Sequence, residues 1–189
     1  MCKYAMVAYK PHYICFSCRK GFKRRLLWDI NRDDKREVDA KCPQCAELMA
    51  GMGFDFEVPP MDDVKSWDHI RNLYSVGIVF HSCGCTGPGY VPSTSEKLVA
   101  YLEEQKACYE QHLTFWRNRT ETSDARALQS ERDKFGGYMT NIPYELRDGK
   151  TGIKNEDAIT YWLTKLNYIS GQIATAASGD PTSMKRWSE

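Results

Sequence analysis

The sequence predicts an α+β protein: a small cysteine-stapled head of short strands and turns, then a mainly helical body of about three helices. Three observations carry that reading. Two Cys-x-x-Cys pairs, Cys15/Cys18 and Cys42/Cys45, lie 23 residues apart among turn-forming residues. From about Ser95 the apolar spacing changes to the three-to-four-residue period of a helix. Between the two regions, glycine and proline break the chain at Gly51-Met52-Gly53, Pro59-Pro60 and Gly84–Gly89. The 189 residues therefore divide into a head over 1–50, a short α/β linker region over 51–92 that contains a Cys-x-Cys loop, and a helical region over 93–189.

In the head, Tyr13, Ile14 and Phe16 surround the first cysteine pair, and Gly21 lets the chain turn before Phe22. Leu26-Leu27-Trp28-Asp29-Ile30 reads as a strand, Asn31-Arg32-Asp33-Asp34 as a turn and Glu37-Val38-Asp39-Ala40 as the returning strand. Pro43 stiffens the second knuckle, leaving nearby amides to bond the sulfurs. In the linker region, the alternation of Phe54-Asp55-Phe56-Glu57-Val58 predicts a short strand. Asp62 or Asp63 then caps a helix through about Leu73, with Val64, Trp67, Ile70, Leu73 and Tyr74 on one face. Gly77-Ile78-Val79-Phe80 predicts a buried strand leading into a polar loop over 81–90.

The helical region opens with Leu98, Leu102, Tyr109, Leu113 and Trp116 on one stripe. A second, more charged helix spans about Asp124–Phe135, with Gly136-Gly137 as its stop. The last helix carries Ile159, Trp162, Leu163, Leu166, Ile169 and Ile173, with Asn155 as N-cap. A tail from about Ser178 is expected to fray. Arg117-Asn118-Arg119 and the charged run from Glu121 to Asp133 read as a solvated face.

Charge is uneven. Residues 1–50 hold eleven Lys or Arg against six Asp or Glu, a balance of +5; the rest hold fifteen against nineteen, and the whole chain sums to +1. No apolar run approaches the eighteen or so residues of a membrane span, and the N-terminus lacks a secretory signal pattern, so a cytoplasmic protein is expected. In a reducing compartment, paired Cys-x-x-Cys spacing favours metal over disulfides. No Ser-His-Asp order, helical His-Glu-x-x-His or carboxylate pair marks an enzyme.

Cys15, Cys18, Cys42 and Cys45 form a complete tetrahedral donor set, which zinc fills without redox chemistry. A rubredoxin-like iron site uses the same four ligands. A closed four-thiolate shell leaves no open position for substrate, so its role is structural. Around Tyr13-Ile14-Cys15-Phe16-Ser17-Cys18 and Lys41-Cys42-Pro43-Gln44-Cys45, the chain resembles the zinc-ribbon (rubredoxin-like) modules of translation, transcription and ribosome-associated proteins. It departs from them at Arg19 and Ala46, where many ribbons carry glycine. The block through Pro92 is similar to small bacterial zinc-ribbon proteins, which implies a bacterial cytosolic setting and no particular activity.

A second donor set is Cys83, Cys85, Cys108 and His112, the last two one helical turn apart. Against it stands a plain reading, with Cys108 beside the apolar stripe and His112 facing solvent. Without metal, Cys83-Gly84-Cys85 offers a thiol or metal-handling pair. The third feature is basic: Arg19, Lys20, Lys23, Arg24, Arg25 and Arg36, interleaved with Phe16, Phe22 and Trp28. Cations release counterions from phosphates and aromatic rings stack on unpaired bases, so the ribbon is expected to contact RNA or a ribonucleoprotein such as the ribosome. The alternatives are a protein–protein adaptor docking through the helical body and a thiol or metal-handling protein.

Overall fold

The structure, a computed structural model, describes residues 10–24, 40–80, 89–122, 124–147 and 152–178. It is α+β, as the sequence predicts: among the described residues, a three-stranded antiparallel sheet near the N-terminus precedes four α-helices. The expected strands at Leu26–Ile30 and Glu37–Asp39 lie outside the described residues. The chain forms two compact units, Met1–Leu98 with Thr175–Glu189, and Val99–Ala174.

In the first unit, β1 (His12–Cys15) lies between β2 (Lys20–Lys23) and β3 (Ala50–Gly53). Ile14 pairs with Gly21 on one side and Ala50 on the other, with an irregularity between His12 and Tyr13 against β3. Gly21 therefore stands inside a strand, not at the turn expected of it. Its hydrogen faces Val58: a Cβ there would sit 2.2 Å from Val58 Cγ2 and 2.9 Å from Cγ1. The sheet's apolar face, Ile14, Ala50 and Met52, closes a core with Phe56 and with Trp67 and Ile70 of α1 (Val64–Ser75). Each large aliphatic side chain buried there stabilises the unit by about 1.5–3 kcal/mol.

Asp63 caps α1 by accepting the Ser66 amide at 3.2 Å and the Ser66 hydroxyl at 2.6 Å. Val64, placed by periodicity on the apolar face, is exposed at this first turn. Phe54–Val58, expected as a strand, forms none: the strand is Ala50–Gly53, and the chain leaves it at Gly53, φ 93°. Gly77 is not the start of a strand but the end of α1. At φ 81° its amide donates to Tyr74 O, and the Ile78 amide donates to Leu73 O, a Schellman closure. The following residues are extended without forming a strand; Phe80 donates to Met52 O at 2.8 Å and accepts from the Asp55 amide at 3.2 Å.

In the second unit, α2 (Ser95–Asn118), which starts in the first, carries Leu113 and Trp116 into a core. Met139 of α3 (Ala125–Thr140) joins them, with Ile142, Ile153, and Ala158 and Trp162 of α4 (Asn155–Ser178). The Asp124 carboxylate caps α3 through the Ala127 amide at 2.8 Å. The helix does not stop at Gly136-Gly137. It bends at Phe135 (φ −124°, ψ 25°) and continues to Thr140, because burying Met139 outweighs the roughly 1 kcal/mol per glycine. Leu163, expected on the α4 apolar stripe, is 39% exposed.

The charged stretch around Arg119 is not a solvated face throughout. The Arg119 side chain is 3% exposed, and its Nε and Nη2 donate to the two Glu131 oxygens at 2.6 and 2.9 Å. Its Nη1 donates to Ile153 O at 2.6 Å and Asn155 Oδ1 at 2.8 Å, while the guanidinium lies 5.1 Å from the Trp116 ring centre. Asn155, expected as an N-cap, is the first residue of α4, and its Nδ2 returns a bond to Arg119 O. One cation thus ties the end of α2 to α3 and to the start of α4.

Candidate metal centre

The two cysteine pairs sit in knuckles of one design. Cys15 ends β1, the chain turns through Ser17 and Cys18, and β2 leaves at Lys20. The Cys18 amide donates to Cys15 Sγ at 3.4 Å. In the second knuckle, Cys42 N donates to Glu47 O at 2.8 Å and Ala46 N to Cys42 O at 2.9 Å, closed by the Lys41–Leu48 bridge. The residue after each second cysteine is left-handed: Arg19 at φ 50° and Ala46 at φ 61°. These are the two positions where the ribbon resemblance calls for glycine. The backbone adopts the glycine conformation without the glycine, at a cost of about 1–2 kcal/mol each. A Ser17–Glu47 hydrogen bond fastens one knuckle to the other.

The knuckles bring all four sulfurs within 4.8 Å of one another. Cys15 and Cys45 Sγ are 3.5 Å apart, Cys18 and Cys42 Sγ 3.9 Å. A tetrahedral zinc ion about 2.3 Å from each thiolate requires sulfur separations of about 3.8 Å, so the donor set fits. A disulfide needs about 2.05 Å, so neither contact is one. Cys15 and Cys42 are buried, Cys18 half-buried and Cys45 exposed.

The sulfurs differ in acidity. Burial opposes the Cys42 thiolate, but the Cys45 and Gln44 amides and neighbouring thiols outweigh it and bring its pKa down to about 7. The Cys18 thiol is pushed up to about 12, first by its bond with Cys45 and then by burial. Burial also pushes the Cys15 thiol up. Cys42 is thus readier to ionise than Cys15 or Cys18, and a divalent cation would supply the charge that deprotonates those two.

Cations flank the first knuckle along the chain. Arg19 and Lys20 are half-buried, as is Arg24, whose amide donates to Pro11 O at 3.1 Å; Lys23 is exposed. Arg25, Arg36 and Trp28 lie outside the described residues. Phe16 is committed to packing: its ring meets Trp67 edge-on at 6.4 Å, and Arg71 caps it at 5.3 Å. Arg71 was invisible as a ribbon-associated residue, since it belongs to α1, and no local motif links it to the knuckle. Glu47 was likewise missed, though its place two residues past Cys45 offered a signal.

Of the second donor set, Cys83 and Cys85 lie outside the described residues. Cys108 is exposed on α2, whereas His112, one turn later, is 8% exposed and not the solvent-facing residue of the plain reading. The His112 ring stacks on Trp162 at 4.2 Å and 15°, and its Nε2 lies 3.4 Å from Asn141 Nδ2. Asn141 Nδ2 also donates to Gly137 O, while His112 Nδ1 is buried without a hydrogen-bond partner among the described residues. Burial lowers the His112 pKa.

No helix among the described residues is long and apolar enough to cross a membrane. Comparisons with protein-family models, curated proteins and solved structures give no match.

Proposed function

We propose that this protein is a zinc-stabilised RNA-binding protein whose basic ribbon contacts the phosphate backbone of RNA or of a ribonucleoprotein such as the ribosome. The carrying observation is the charge of the head. Residues 10–24 and 40–53 hold six cations, Lys10, Arg19, Lys20, Lys23, Arg24 and Lys41, against one carboxylate, Glu47. A zinc ion with four thiolates carries −2, so six less one less two leaves +3 for an external anion. Phe16 is engaged in the core, so the contact is electrostatic before it is a stacking one.

Titrating fluorescent oligoribonucleotides against salt tests this reading. About three phosphate contacts to a single strand give a slope near −2 in log K against log salt. Lys23→Gln is expected to weaken binding uniformly across sequences and to reduce the slope by about 0.7. Binding to no RNA at low salt, or an unchanged slope in Lys23→Gln/Arg24→Gln, contradicts the proposal. A salt-independent protein partner held by the helical unit would favour the adaptor reading instead.

A further inference from the structure

The four-thiolate centre is open on one side. Cys15 and Cys42 are 1% and 2% exposed, whereas Cys45 is exposed. Two sulfur contacts cross from one knuckle to the other, Cys18 to Cys42 at 3.9 Å and, shorter, exposed Cys45 to buried Cys15 at 3.5 Å. An oxidant arriving from solvent therefore meets Cys45 first, with a second thiolate already behind it. About 1.5 Å of approach separates that pair from a disulfide.

We propose that Cys45 is a site of oxidation by hydroperoxides, resolved by Cys15 into an inter-knuckle disulfide that releases the metal. The proposal rests on the metal-loaded reading of the centre. In the first step the Cys45 thiolate attacks a peroxide oxygen. An S–O bond forms, the O–O bond breaks, hydroxide leaves, and the sulfur is oxidised by two electrons to sulfenic acid. In the second step the Cys15 thiolate attacks the Cys45 sulfur. An S–S bond forms, the S–O bond breaks, and a second hydroxide leaves. Both hydroxides take protons from solvent, so one hydrogen peroxide becomes two waters and two thiolates become one disulfide. A zinc ion held there would then keep only Cys18 and Cys42 of its four protein ligands, short of the closed set a structural site uses.

The structure also says why the head tolerates this change. The new bond would join the same two knuckles that Ser17 and Glu47 join, each pair 30 positions apart in the chain, so the knuckles stay linked when the ion leaves. Oxidation becomes a reversible exchange of one staple for another, undone by a thiol reductant.

The test uses the full-length reduced protein, its zinc counted by native mass spectrometry, then exposed to hydrogen peroxide with a chromogenic zinc chelator present. Zinc release together with a Cys15–Cys45 disulfide in peptide mapping is expected, reversed by dithiothreitol and added zinc. Cys45→His retains a four-ligand Cys3His set while removing the oxidised sulfur, and is expected to slow zinc release at least tenfold. Release without the Cys15–Cys45 linkage, or at the wild-type rate in Cys45→His, overturns the proposal. A reduced protein that never carries metal instead overturns the metal reading, and the proposal with it.

Discussion

Replacing Gly21 with alanine tests whether the head is built as described. The added methyl would stand 2.2 Å from Val58 Cγ2 and 2.9 Å from Cγ1. Valine is branched at Cβ and stiff about χ1, so it does not swing aside as the tip of a lysine would. Overpacking of this kind costs about 1–3 kcal/mol, offset by the roughly 0.5–1 kcal/mol by which alanine suits a strand better than glycine. A net loss of about 1–2 kcal/mol is expected in urea unfolding of the metal-loaded protein. Val58→Ala alone removes two half-buried methyl groups and should cost about 1 kcal/mol. The double variant is the deciding one. If the side chain of Val58 is what Gly21 accommodates, Gly21→Ala loses most of its cost in the Val58→Ala background, where only the Cβ of residue 58, at 3.1 Å, remains in the way, a coupling of about 1–2 kcal/mol. Were Gly21 needed to turn the chain, removing Val58 would rescue nothing. Simple additivity of the two substitutions would therefore refute the packing argument.

Further expectations follow from other parts of the chain. Ala46→Gly relieves a left-handed residue at φ 61° and should stabilise the loaded head by about 0.5–1 kcal/mol, seen as a tighter zinc affinity in chelator competition; weaker affinity contradicts it. Arg119→Leu leaves the half-buried Glu131 carboxylate without its partner and should cost about 2–3 kcal/mol, much of it recovered in Arg119→Leu/Glu131→Leu. Losses from Arg119→Leu and Glu131→Leu that simply add in the double variant would show that the pair is not coupled. His112 has a depressed pKa through burial, so the unfolded chain takes up its proton first as the pH falls. Its contribution is complete above about pH 6.5 and declines as pH falls toward the lower folded value, a slope that His112→Phe should flatten. Identical pH profiles for the two proteins would sink that assignment.

The cysteine knuckles were legible because their information is local: four residues at paired spacing define a candidate donor set before any fold is known. The apolar stripe of α2 was legible for the same reason, and Leu98, Leu102, Leu113 and Trp116 are all buried. What the sequence hid depends on distant partners. Arg119 lies 12 positions from Glu131 and 36 from Asn155, so nothing nearby in the chain separates this buried cation from the surface charges around it. Gly136-Gly137 carries a strong local stop signal. Burial of Met139 beyond it decides the outcome, and a bend at Phe135 absorbs the conflict. Gly77 misled in the opposite direction: its place before three apolar residues suggested a strand, while its positive φ serves the end of α1. At the metal centre, the departures from glycine at Arg19 and Ala46 were visible as sequence facts. Only the backbone shows that both keep the left-handed turn.

The central claim is that Cys15, Cys18, Cys42 and Cys45 hold one ion that organises the head. Its most direct test is native mass spectrometry of the purified protein, joined to thiol alkylation with and without a chelator. Zinc is expected at this centre, with the four cysteines protected from alkylation until the chelator removes the ion. Cys42→Ser should lose both the metal and the ordered sheet. A metal-free protein with its sheet intact and all four thiols freely alkylated would contradict it.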